Sequence, residues 1–117
     1  MELLTKDWRS QAKRKLPLRV TIETLGADIL VKPMAAGRLF EIEQRFPTDD
    51  ETGRICDYPA YMRAVIADSV VAGAGNEPLW SEEDIAKDLD TEAFWEIWEA
   101  VSGFLGLKKK KGEPAKN

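Results

Sequence analysis

Between residues 18 and 23 the apolar side chains Leu18, Val20 and Ile22 alternate with Arg19, Thr21 and Glu23, the two-residue period of a strand with one buried face. Gly26-Ala27-Asp28 supplies turn residues, and Ile29-Leu30-Val31 with Met34 forms a second apolar run checked by Pro33. The spacing predicts a β-hairpin with strands near 18–25 and 28–33. A lone hairpin is marginal in water, so helices must cover one of its faces.

The period then lengthens. In MAAGRLFEIEQRF, Leu39, Ile42 and Phe46 recur at three- and four-residue spacing with Phe40 at the edge of the stripe, predicting a helix over 35–46 that ends at Pro47. Met34-Ala35-Ala36 gives that helix no capping side chain. The stretch TDDETGRICD reads as a polar loop. Asp57 is placed to cap the next helix and Pro59 suits its first turn; Tyr58, Tyr61, Met62, Val65, Ile66 and Ser69 line one stripe, carrying the helix to about 72, where Gly73-Ala74-Gly75 ends it.

GNEPLW follows as an extended segment anchored by Leu79 and Trp80. Ser81 is the expected cap of a brief helix reaching Leu89, with Glu82, Glu83 and Asp84 favoured by the positive end of its dipole. Asp90 or Thr91 caps the last helix, 91–105, whose stripe of Phe94, Ile97, Trp98, Val101, Phe104 and Leu105 is the strongest in the chain; Gly106 stops it. Residues 2–15 have weaker helical character, with Leu3, Leu4 and Trp8 as anchors, and leave a short amphipathic helix or coil open. Residues 1–107 thus form one α+β domain, an N-terminal β-hairpin packed against three to four α-helices, and 108–117, LKKKKGEPAKN without its leucine, is expected to be a disordered basic tail.

Charge is distributed unevenly. Of the 117 residues, 1–19 carry net +4 and 108–117 carry net +4, while the whole chain is −4, which leaves −12 on 20–107. Phosphate repulsion from such a body opposes nucleic-acid binding by the basic ends. No apolar stretch approaches the length of a membrane span, and MELLTKDWRSQAKRK lacks the apolar run of a secretory signal, so a cytoplasmic location is expected.

Histidine is absent, which removes Ser-His-Asp and Cys-His catalysis and the commonest metal ligand. Cys56 is the single cysteine; it has neither a disulfide partner in the chain nor an imidazole to activate it. Glu82, Glu83, Asp84, Asp88 and Asp90 are the densest acidic group, but they lack the glycine-punctuated ligand spacing of a calcium loop, and helix starts collect acids. Gly73-Ala74-Gly75-Asn76 precedes no lysine of a phosphate loop. No catalytic residue, cofactor or metal site is expected.

Aromatic residues carry more information. Phe94, Ile97, Trp98, Val101 and Leu105 fall within one arc of the last helix, whereas Trp95 lies about 100° from its centre. It either covers a neighbouring loop or anchors a partner; Trp8 poses the same question, and tryptophan dominates binding hot spots. Lys108 to Lys111 form a solubilising tail, a contact for an acidic partner, or, because lysine codons are rich in A, the mark of a slippery messenger sequence.

Taken in order, LRVTIETLGADILVKPM, RLFEIEQRF, DYPAYMRAVIADSVV, GNEPLWSEEDI and FWEIWEAVSGFLGL resemble the tail assembly chaperones of long-tailed bacteriophages and prophages, over about residues 16–107. The most telling piece is Asn76-Glu77-Pro78-Leu79-Trp80 before an acidic helix start. Many relatives cap the helix after the hairpin with Thr or Ser, and this chain departs there. The resemblance implies a non-catalytic protein of the host cytoplasm, absent from the finished virion, that holds the tape-measure protein before tail tube subunits polymerise around it. Its implied partners are the tape measure, the tail tube protein and a longer form of itself made by a −1 frameshift near Lys108 to Lys111. Trp8, Phe40 and Trp95 are the partner-binding residues we expect. Tail terminators and connectors, which assemble into rings, and unrelated adaptor or antitoxin-like modules are the competing classes.

Overall fold

A computed structural model describes residues 1–73 and 76–107. The architecture is α+β: a three-stranded antiparallel sheet with five helices among the described residues. The expected basic tail lies outside those residues.

The hairpin forms where the alternation placed it, but its strands are shorter. β1 is Leu18–Ile22 and β2 is Ala27–Val31, paired so that Leu18 faces Val31 and Ile22 faces Ala27. Residues 23–26 are turn rather than strand, because the Ile22 carbonyl accepts from the N–H groups of Leu25 and Gly26, and Gly26 sits at φ 65°, the left-handed region that glycine enters without a Cβ penalty. Before the hairpin, only Trp8–Gln11 is helical (α1), a single turn with none of its residues buried.

α2, Ala36–Glu43, begins without a side-chain cap, as Met34-Ala35 predicts. It stops short of 46 because the chain tightens as it nears Pro47: the N–H groups of Arg45 and Phe46 bond back only three residues, to Ile42 and Glu43. The following polar loop has an unexpected interior. Thr48 bridges Ile55, Asp49 accepts from the N–H groups of Glu51 and Thr52, and Ile55 is only 5% exposed. The Thr52 and Glu51 amides, in that order, hold the Asp49 carboxyl below its ordinary range.

α3, Tyr58–Ser69, is capped by the Asp57 carboxylate, which accepts from Ala60 N–H. The expected extension to 72 fails. Val70–Val71 instead form β3, pairing with Val31 and Leu30 of β2. The helix passes into the strand without a loop, and the Ser69 carbonyl at its end accepts from Lys32 N–H. Two β-branched residues gain more from two ladder partners than from one more helical turn. Beyond β3, Val71 bridges Pro78, while Ala72 and Leu79 donate to Glu77 and Val70.

α4, Glu82–Asp88, opens on a reciprocal capping box in which Ser81 and Asp84 each accept from the other's N–H. α5, Thr91–Leu105, matches the sequence bounds; Asp90 caps it and Gly106 ends it at φ 70°. The inner sheet face (Ile22, Ile29, Val31, Val70) joins Met62, Val65 and Ile66 of α3 and Ile97, Trp98 and Val101 of α5 in one core. An aromatic group joins this core at its margin, with Tyr61 against the half-buried Phe46 and Tyr58 and the buried Trp98 at centroid distances of 6.0, 5.5 and 6.4 Å. Arg38 of α2 pairs with Asp68 of α3 at 2.8 Å, and Arg45 with Glu82 of α4 at 2.9 Å.

Candidate functional site

Strand alternation gives the sheet a second face. Leu18, Val20, Ile22, Ile29, Val31 and Val70 point toward the helices, so Arg19, Thr21, Asp28, Leu30 and Val71 point away. That outer face is not fully polar, and among the described residues no helix lines the groove on it. Leu30 and Val71, directly paired across β2 and β3, share a groove of about 370 Å³ with Leu79 from the extended segment, and Ile29, Ala72 and Gly73 also line it. Val71 is 3% exposed yet stands outside the main core, because the Pro78 bridge folds the 77–79 segment along it.

One end of the groove is charged. The Arg19 Nε donates to Asp28 Oδ2 at 2.7 Å, and the Thr21 hydroxyl donates to Asp28 Oδ1 at 2.6 Å. These contacts, Thr21 first and then Arg19, hold the Asp28 carboxyl below its ordinary range. The arrangement presents an apolar floor beside an exposed ion pair, suited to gripping an apolar side chain beside a polar neighbour. A smaller groove of about 180 Å³ lies where Pro59 and Arg63 of α3 meet Ile85 and Leu89 near α4 and Phe94 of α5.

Each residue expected to bind a partner is exposed. Trp8 on α1 is 46% exposed and lies beneath the Arg9 guanidinium, 4.9 Å from its ring centroid. Phe40 on α2 is 58% exposed, because it stands two positions and about 200° around the helix from the buried Ile42. Trp95 on α5 is 44% exposed and packs edge-on against Phe94, at 5.5 Å. The three belong to three separate elements, and none of them lines either groove described.

Sequence reasoning missed the outer-face groove. Leu30 reads as apolar, but Val71 reads as the end of a helix, which hides the β2–β3 pairing that sets Leu30 beside Leu79. A Val-Val step one residue before a glycine-rich break is the signal that a short strand leaves.

The acidic residues at the start of α4 are engaged in folding. Asp84 serves the capping box, Glu82 holds Arg45, and Glu83 pairs with Lys87 at 3.6 Å. Among the described residues no group of three or more His, Cys, Asp and Glu is placed to hold a metal ion, and no helix is long and apolar enough to cross a membrane. Comparison with protein-family models, curated proteins and solved structures gave no match.

Proposed function

We propose that this chain is a non-catalytic polypeptide-binding protein, acting as a tail assembly chaperone that holds the tape-measure protein of a long-tailed phage in the host cytoplasm. The single observation behind the proposal is the mismatch between charge and exposed grease: a body carrying −12 over residues 20–107 bears an apolar groove at Leu30, Val71 and Leu79 and the exposed aromatics Trp8, Phe40 and Trp95. An unassembled tape-measure helix exposes apolar stripes that aggregate. Small apolar contacts scattered over an acidic surface can cover such stripes one patch at a time, and the net charge keeps the complex dispersed.

Scattered anchors also set the strength. A continuous interface of ~1,600 Å² belongs to stable complexes, whereas separate patches give weak contacts that let go quickly. A holder displaced by tube subunits needs the second kind.

Isothermal titration of the full chain against tape-measure fragments tests the proposal. Weak binding at several sites per fragment is expected, reduced by Phe40→Ser and Trp95→Ser. Heat-silent mixing, together with an adjacent gene that encodes no long helical protein, would remove it.

A further inference from the structure

The outer edge of β1 points to an interface that is independent of the tape-measure proposal. Antiparallel strands bond their neighbours through alternate residues. Lys32 N–H donates to the Ser69 carbonyl, and the Leu30–Val71 pair lies two residues along the same ladder, so the even-numbered residues of β2 face β3. Ile29 and Val31 therefore face β1, meeting Val20 and Leu18. The backbone groups of Arg19 and Thr21 are left pointing away from the sheet, and among the described residues no strand pairs with that edge.

This open edge is closed at both ends. Pro17 has no N–H to offer, and the N–H of Glu23, next in the alternation, is already bonded to Glu96 Oε2 at 2.7 Å. Lys15, just ahead, donates to the Phe104 carbonyl and sits 4.2 Å over that ring, which ties the incoming chain to the end of α5. Among the described residues of this edge, Arg19 and Thr21 thus each present a donor and an acceptor, a length that rejects long strands and suits a short partner.

We infer that β1 pairs antiparallel with β1 of a second copy about a twofold axis through Val20, joining two three-stranded sheets into one. The register follows by elimination. With Val20 on the axis, Arg19 of each copy meets Thr21 of the other, and all four outward residues exchange both backbone bonds. A shift of one residue aims Arg19 at Val20, whose groups are committed to β2. A shift of two sets Arg19 against Glu23, whose N–H Glu96 holds, or else Arg19 against Arg19 and Thr21 against Pro17.

Side chains agree with that register. On the outer face each Arg19 lies beside the Thr21–Asp28 pair of the other copy, so two cations and two carboxylates alternate across the seam. On the inner face Leu18, 36% exposed, meets Ile22, and Val20 meets Val20.

Cysteine cross-linking tests the geometry. In chains carrying Cys56→Ser, which removes the exposed native thiol, Val20→Cys is expected to form a covalent dimer under mild oxidation. Arg19→Cys and Thr21→Cys are expected to cross-link poorly, since each lies about 8 Å from its own copy in this register, beyond disulfide reach. For the unaltered chain, light scattering is expected to rise with concentration to twice the 13.2 kDa chain mass, with the Arg19 and Thr21 amides gaining protection in parallel. The inference is overturned by a chain that stays at single mass with both amides unprotected, by equal cross-linking at the three positions, or by protection that needs an added extended peptide. If Val20→Cys does not fold, the amide measurement decides alone.

Discussion

Glu96 on α5 holds Thr24 of the hairpin turn twice with one oxygen: Oε1 accepts the Thr24 hydroxyl at 2.6 Å and its backbone N–H at 3.0 Å, while Oε2 takes the N–H of Glu23. The turn is thereby fixed to a helix 72 residues further along the chain. Thr24 hydroxyl and amide, then the Glu23 amide, hold the Glu96 carboxyl below its ordinary value of 4.5. A carboxyl lowered by folding contributes stability that is complete above that value and fades as pH falls through the folded one. Glu96→Gln is therefore expected to lower the melting temperature at pH 7 and to converge with the parent as pH falls from the ordinary carboxyl range through the lowered folded value. Thermal unfolding across pH checks this; a gap that widens in acid would contradict the clamp.

Burial separates two apolar residues of similar character. Ile97 is fully buried where α5 meets the sheet, and Phe40 stands out from α2. Ile97→Ala is expected to cost about 2–5 kcal/mol, and Phe40→Ser about 0.5 kcal/mol or less. Urea unfolding measures both, and a large loss for Phe40→Ser would place it in the fold rather than on a binding surface.

α4 is short enough to depend on its first turn. Removing the Ser81 hydroxyl leaves the Asp84 N–H without its cap, and Ser81→Ala is expected to cost roughly 1 kcal/mol. Hydrogen exchange should show faster opening of residues 82–88 than of α5; uniform loosening would argue against a local role.

For the outer-face groove, Leu30→Asp introduces a carboxylate beside Leu79 and Asp28 without entering the main core. The variant is expected to keep its circular dichroism spectrum and to lose at least half of its tape-measure binding heat. Undiminished heat would take the groove out of the contact surface.

Much of this fold was legible because several signals coincided. α5 has an acidic cap, a long apolar stripe and a terminal glycine, and its bounds agree with the sequence reading at both ends. β1 carried a clear alternation and β2 an apolar run, yet the turn at 23–26 that shortens β1 is also held by Glu96, a residue no local window around the hairpin contains. β3 has only two residues, too few to display a period, and Val70 also satisfied the stripe of α3. Ile55 was hidden by polar neighbours, since a single buried side chain in a loop has no rhythm to betray it. Trp95 stood off the arc of α5 and Phe40 at the edge of the α2 stripe, and both are exposed, as is Trp8 on the short α1.

The direct passage from Ser69 into Val70 makes the helix–strand joint a counting device. A strand offers its side chains only two settings, inward and outward, and with no slack at the joint the phase of α3 selects between them. One inserted residue there would swap Val70 with Val71, pushing a groove residue into the interior and a core residue out, so length at this point is constrained more tightly than chemistry.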